Sequence, residues 1–229
     1  MPRGAGLDAP GTLHRVMIRG IERRTIVDDE KDREDLVSRL GKLSEGTGNA
    51  IYAWALLSNH APILIRSGPS GLSSFMRRFL SGCAAGYNRR HKRYGHLFQN
   101  RFKSIICEED PCFMELVSTI HLKPLRAGLV DTLRRLNRYR WSGHSALPGT
   151  RKNSWQDRKY VLKWFGSRQS VARKAHLEFI KKGVDQGRRP ELVGGGLIRS
   201  PAGWSDVKSL RKSGIFERVT NGFSAPATL

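Results

Sequence analysis

Residues 51 to 67, IYAWALLSNHAPILIRS, restrict the fold more than any other stretch of the chain. The run is too apolar for a helix on a surface, and Ser58-Asn59 and Pro62 interrupt it. Two strands meeting near Asn59 account for both facts. Pro62 weakens the second strand locally, because proline has no N–H to give to a ladder. The flanking segments supply partners. LHRVMIR, Leu13 to Arg19, is apolar, contains β-branched residues and stops at Gly20, so it reads as a strand. Asp28-Asp29 opens DDEKDREDLVSRLGKL, in which Leu36, Val37, Leu40 and Leu43 recur at helical spacing. Its first turns are acidic, as the helix dipole favours, and Gly46 and Gly48 close it.

A second helix is predicted from Ser70, with Phe75, Met76, Phe79, Leu80, Cys83 and Tyr87 on one face. HLFQNRFKSIIC, His96 to Cys107, reads as another strand. A third helix starts near Asp110, with Pro111 at an N1-like position, and Pro124 ends or kinks it. The order strand, helix, two strands, helix, strand, helix predicts an α+β fold, with a mainly antiparallel sheet and helices packed on it. After Trp141-Ser142-Gly143 the composition shifts, through Pro148-Gly149, to a basic helical region. WQDRKYVLKWF and SVARKAHLEFIKK read as two helices there, with a further short helix around Trp204 to Lys212. The expected organisation is therefore a main domain over 11–145, a small helical extension over 153–214 and an unstructured tail over 215–229.

The formal net charge is +21, and it is spread along the chain: 24 basic against 14 acidic residues up to Thr150, and 17 against 6 beyond it. Such an excess points to phosphate polymers or anionic membrane surfaces as partners. Between Arg77 and Lys103 there are eight Lys/Arg and no acid: Arg77, Arg78, Arg89, Arg90, Lys92, Arg93, Arg101 and Lys103. Phe79, Tyr87, Tyr94, Phe98 and Phe102 are interleaved with them. Cations release counterions from phosphates and rings stack on unpaired bases, so this segment is the predicted nucleic-acid surface. A membrane is disfavoured, because the basic residues do not lie opposite one continuous apolar stripe. No apolar run approaches the roughly 20 residues of a bilayer span. Met1 to Thr12 lacks the pattern of a secretory signal. Cys83, Cys107 and Cys112 have neither the number nor the spacing of a zinc or redox motif, so reduced thiols and a cytoplasmic location are expected.

Local chemistry is sparse. His60 follows the Ser58-Asn59 turn, and a single histidine there is ordinarily a structural hydrogen-bonding residue; Ala61 and Pro62 add no ligand. On the third helix Thr119 and Lys123 share a face, while His121 points away. No Ser-His-Asp or Cys-His arrangement and no phosphate-cradling glycine loop stands out.

Four runs together resemble the single-tyrosine HUH transposases, and within them the REP-associated tyrosine transposases of bacteria. They are VMIRGIERRTIVDDEKDREDLVSRL, YAWALLSNHAPILIRS, MRRFLSGCAAGYNRRHKRYGHLFQNRFKSIICEED and IHLKPLRAGLV. They fall in the family's order between about Gly11 and Gly143, GHLFQNRFKS and PLRAGLV being the most specific. The stretch from Trp155 to Lys212 resembles an extension found in one branch. The resemblance implies a ferredoxin-like sheet whose His-hydrophobic-His strand, with an amide on a following helix, binds Mg²⁺ or Mn²⁺. A tyrosine four residues before that amide attacks a scissile phosphate. Substrates are single strands beside DNA hairpins.

Carried over by position, the resemblance implies a broken site. Family NH-x-H falls on Asn59-His60-Ala61-Pro62, so only His60 survives as a metal ligand. Family YIHLNP falls on Thr119 to Pro124, placing Thr119 at the tyrosine and Lys123 at the amide. The expected function is a DNA-binding protein of the family, recognising single-stranded or hairpin DNA, no longer nicking it and holding no Mg²⁺ or Mn²⁺. A homodimer is compatible with the resemblance. Two alternatives accompany this reading. One is an active enzyme whose nucleophile has moved to Tyr87 or Tyr94; the other is a remnant without function. The family look ends after Lys212, as expected of a frameshifted or truncated gene product.

Overall fold

The computed structural model describes residues 9–99, 102–107 and 113–185. Within them, four strands form one antiparallel sheet: β1 Leu13–Arg19, β2 Ala50–Trp54, β3 His60–Arg66 and β4 Lys103–Ile106. Their spatial order is β2-β3-β1-β4. The hydrophobic run that predicted two strands thus supplies β2 and β3, and β3 is an interior strand. Pro62 is tolerated there for a local reason. Its carbonyl accepts from Ala55 N (3.2 Å), one residue past the end of β2. A residue's N–H and C=O point to the same side of a strand, so the missing N–H faces ground that β2 has already left. The β1–β3 ladder keeps its register through Met17 opposite Pro62.

Both faces of the sheet are covered. One face, with Val16, Ile18, Ala61, Ile63 and Ile65, packs under α1 (Glu30–Thr47) and α2 (Gly71–Arg90). Helix α1 opens on a capping box between Asp29 and Asp32 and closes on Gly48, whose φ of 66° suits the left-handed conformation. Gly46 lies inside the helix, so of the two glycines expected to end it only Gly48 does so. The predicted stripe of α2 is the observed one: Phe75, Met76 and Phe79 are each at most 1% exposed. Each such side chain contributes about 2–3 kcal/mol of burial.

The opposite face, with Leu13 and Leu64, packs under α3 (Phe113–His121). A bulge at Tyr52, between Ile51 and Ala53, turns two successive β2 side chains toward this second core. Helix α3 breaks at Leu122 and restarts as the short α4 (Lys123–Arg126), where Pro124 sits in the first turn. A further turn, α5 (Leu133–Leu136), and a 3₁₀ turn, Gly143–Ala146, lead to α6 (Arg158–Lys163) and α7 (Gln169–Asp185). Residues 204–212 and the tail over 215–229 lie outside the described residues.

The helical region after Pro148 is built into the same core. Leu147, Val161, Leu162 and Ala172 join Tyr52, Leu64 and Phe113 in one cluster. Gln156 accepts from Trp54 Nε1 (3.2 Å) and donates to Tyr52 O (3.0 Å). Trp155 lies against Trp54 with ring centroids 5.4 Å apart. Its ring also presses on Gly41 of α1, where an added Cβ would stand 2.5 Å from Trp155 Cδ1. Arg66 donates to Tyr52 Oη (2.8 Å) and Tyr160 Oη (3.2 Å), joining β3 to α6. The predicted strand over 96–107 is shorter in the structure, because only Lys103–Ile106 pairs with β1 and Phe98 makes a single bridge to Gly20. Gly95 and the buried Leu97 and Phe98 form a turn whose backbone serves the β1 end instead.

Candidate nucleic-acid interface

The register places His60 opposite Arg19 at one end of the sheet. Side chains directly opposite one another share a face, so Arg15, Met17 and Arg19 of β1 stand with His60 and Pro62 on the α3 side. Lys103, opposite Met17, joins them. His60 is half-buried, and its Nδ1 pairs with Asn59 Oδ1 at 2.7 Å. Burial holds its pKa down at about 4, helped by the positive charges of Lys123 and then Arg19. The imidazole is therefore neutral at pH 7. Lys123, the first residue of α4, is thus one of the charges that act on His60. Thr119, one turn earlier on α3, is only 3% exposed.

These residues do not fit the metal that the resemblance implies. One imidazole is present, Pro62 carries no donor atom, and a lysine ammonium lies where an uncharged oxygen would be needed. A divalent cation there would meet the like charge of that ammonium. Nor is the buried Thr119 hydroxyl placed to meet a phosphate.

The other tyrosines considered as nucleophiles stand apart from one another. Tyr87 donates to Asp28 Oδ2 (2.5 Å), and its ring lies tilted against that of His91 (4.3 Å between centroids). Burial, with the hydrogen bond to Asp28, raises its pKa, which is the wrong direction for a nucleophile. Tyr94 is 96% exposed. Of the five aromatics interleaved with the basic run, Phe79, Tyr87 and Phe98 are core residues and Phe102 is half-buried. Tyr94 alone presents a free ring.

The structure divides the predicted basic surface. Arg89 and Lys92 are exposed and Arg93 is partly so, at the C-terminal end of α2 and just past it. That end meets the start of α1 through Arg90 and His91, and the loop beyond it hydrogen-bonds β1 through Ile21 N to Leu97 O (3.0 Å) and Gln99 N to Arg19 O (2.8 Å). These cations therefore gather at the His60 end of the sheet. Arg77 and Arg78 are exposed too, but lie about 17 Å nearer the other end of α2, at 1.5 Å per residue. Arg90 is committed within the fold, pairing with Asp29 and with Asp32 (3.0 Å). Asp32 also pairs with His91 Nε2 (2.8 Å) and completes the capping box of α1, so the Asp28–Asp32–His91 group is already engaged in hydrogen bonds within the fold. Arg101 lies outside the described residues.

Sequence reasoning overlooked Arg19, Arg23 and Arg24, which are exposed at the same sheet end. Arg24 pairs with Glu22 at 3.1 Å, while the backbone of Arg23 receives Asn59 Nδ2 (3.1 Å). They lie some 60 residues before the basic run, and the backbone bonds of the loop after α2 to Arg19 and Ile21 join the two groups. Replacing Lys123 by alanine is expected to raise the His60 pKa, since a neighbouring cation opposes protonation. The rise should stop short of 6.5 because burial remains. Imidazole NMR titration measures this, and an unchanged or lower value would contradict the proximity.

No family model matches the chain, and no curated protein matches it in sequence. Among solved structures, the chain is similar to a REP-associated tyrosine transposase bound to a REP hairpin. The match is 15% identical with a TM-score of 0.54, and it covers 69% of this chain and 98% of that one. At this identity the likeness is one of fold: an α+β fold with an antiparallel sheet and packed helices, the class read from the sequence. Among the described residues no helix is long and apolar enough to cross a membrane.

Proposed function

We propose that the protein binds single-stranded DNA beside hairpins and no longer nicks it. The observation that carries this reading is the gathering of cations at the His60 end of the sheet, where the resemblance would put a metal-binding set. Lys123 and Arg19 flank a neutral His60, and Arg23, Arg89, Lys92 and the exposed Tyr94 ring stand around the same end. A phosphate backbone is the ligand that such a cluster suits, and an exposed ring offers a stacking place for an unpaired base. The fold neighbour was solved on a REP hairpin, which supports DNA of that shape as the partner. In this reading Thr119, Pro62 and Lys123 are the lost nucleophile and ligand positions, and no Mg²⁺ or Mn²⁺ is needed for binding.

A hairpin oligonucleotide with a single-stranded flank is expected to bind more tightly than a blunt duplex of equal length, in the presence of a chelator. Affinity should fall steeply between 50 and 200 mM salt. No covalent protein–DNA adduct should form when Mg²⁺ or Mn²⁺ is added. Equal binding to a neutral polymer would overturn the reading. So would an adduct abolished by Tyr94→Phe, which would instead establish a relocated nucleophile.

A further inference from the structure

Three histidines far apart in sequence meet in the interior. His121 is the last residue of α3, His144 lies in the Gly143–Ala146 turn, and His176 is in the middle of α7. Each is 0% exposed. Their ring centroids stand 5.5, 5.4 and 6.1 Å apart, and one nitrogen from each lies within 4.8 Å of the other two. Neither ring nitrogen of His121 or of His176 has a hydrogen-bond partner, and neither does Nδ1 of His144. Buried polar atoms are rarely left this way, because each costs about 1–3 kcal/mol when unsatisfied. Five such atoms in one place ask for a ligand.

The third nitrogen pair indicates which kind. His144 Nε2 donates to Asn137 Oδ1 at 2.7 Å, which fixes the tautomer and leaves the buried Nδ1 lone pair without a partner. A histidine held through its outer nitrogen by an amide oxygen has the second-shell arrangement usual for metal-ligating imidazoles. We propose that His121, His144 and His176 bind a borderline divalent transition ion of the zinc class, which ties α3, the 143–146 turn and α7 together. The unpartnered ring nitrogens are the atoms that would bind the ion. Zinc–nitrogen bonds of about 2.0–2.1 Å put ligand nitrogens roughly 3.4 Å apart in a tetrahedron, so a closure of about an ångström assembles the site. An all-imidazole set suits Zn²⁺, Co²⁺ or Ni²⁺ and is wrong for Mg²⁺, which requires oxygen ligands. Water or hydroxide fills the fourth position. The site shares no residue with the His60 cluster.

The test uses untagged full-length protein purified without chelator. About one zinc per chain is expected by mass spectrometry of the metal content. After exchange, Co²⁺ should give the visible absorption of a tetrahedral site. Zinc at a hundredfold excess over its dissociation constant should raise the Tm of the apo protein by roughly 5–10 °C. His144→Gln and His176→Gln should each remove the Co²⁺ bands, while His60→Gln keeps them. Wild-type protein that shows neither Co²⁺ bands nor a zinc-dependent Tm overturns the proposal, and it does so whether or not the variants fold. Bands that persist in His176→Gln also overturn it. A pocket holding only water gives the first of these results.

Discussion

Alanine at Arg19, Arg23, Arg89 and Lys92 together is expected to lower the salt slope of hairpin binding by about 3, at roughly 0.7–0.9 per lost phosphate contact. Between 50 and 200 mM salt the wild type should then lose affinity by on the order of 10²-fold more than the variant. The expectation follows from placement rather than from sequence proximity. The four side chains are exposed at one end of the sheet, two from the β1 end and two from the end of α2. Arg77→Ala with Arg78→Ala removes two exposed cations from the same run, yet about 17 Å away along α2, and should change the slope by less than 1. Fluorescence anisotropy over a salt series measures both. Equal effects from the two variants would mean that net charge, and not this surface, governs binding. Within the same cluster, Tyr94→Ala should weaken binding to an unpaired flank by about 1–3 kcal/mol and leave blunt duplex unchanged.

Phe113→Ala is expected to destabilise the protein by about 3–5 kcal/mol and to loosen the C-terminal helices from the sheet. The ring is 0% exposed and lies between three others: Tyr52 at 5.3 Å, Tyr160 at 5.6 Å and Trp164 at 5.0 Å between centroids. Tyr52 belongs to β2, while Tyr160 and Trp164 belong to α6 and its end. Removing Phe113 therefore opens a cavity at the only place where α3, the sheet and α6 all contribute aromatic rings among the described residues. Chemical denaturation gives the loss, and a single cooperative transition in the wild type is the companion expectation. Two separate transitions in the wild type would mean that the helical region after Pro148 melts as a unit of its own.

Much of the frame was legible because its signals are local. The interrupted apolar run marked β2 and β3, the acidic start and Gly48 marked α1, and the i, i+3, i+4 pattern marked the buried face of α2. What escaped depends on distance. Arg19 and the cations at the end of α2 come to one end of the sheet through strand pairing and the backbone bonds of the loop after α2, which no window of residues displays. His121, His144 and His176 are separated by 23 and 32 residues in no metal-binding spacing, so only the packing of α7 against α3 unites them. The aromatic residues of the basic run misled for the opposite reason. Their spacing fits both a core stripe and a base-stacking platform, and the sheet beneath α2 claims Phe79 and Tyr87 for the core. At the His60 end the motif spacing suggested roles for Thr119 and Lys123. It could not reveal that Thr119 is enclosed.

The contact between Gly41 and Trp155 sets a rule for variation among chains of this shape. An indole occupies the volume where any other residue at 41 would place its first carbon, so the two positions cannot change independently. A chain with alanine or larger at the first should carry a smaller, non-indole residue at the second. Two sites 114 positions apart should thus covary as one choice, and a relative holding both alanine at 41 and tryptophan at 155 would need a displaced α1.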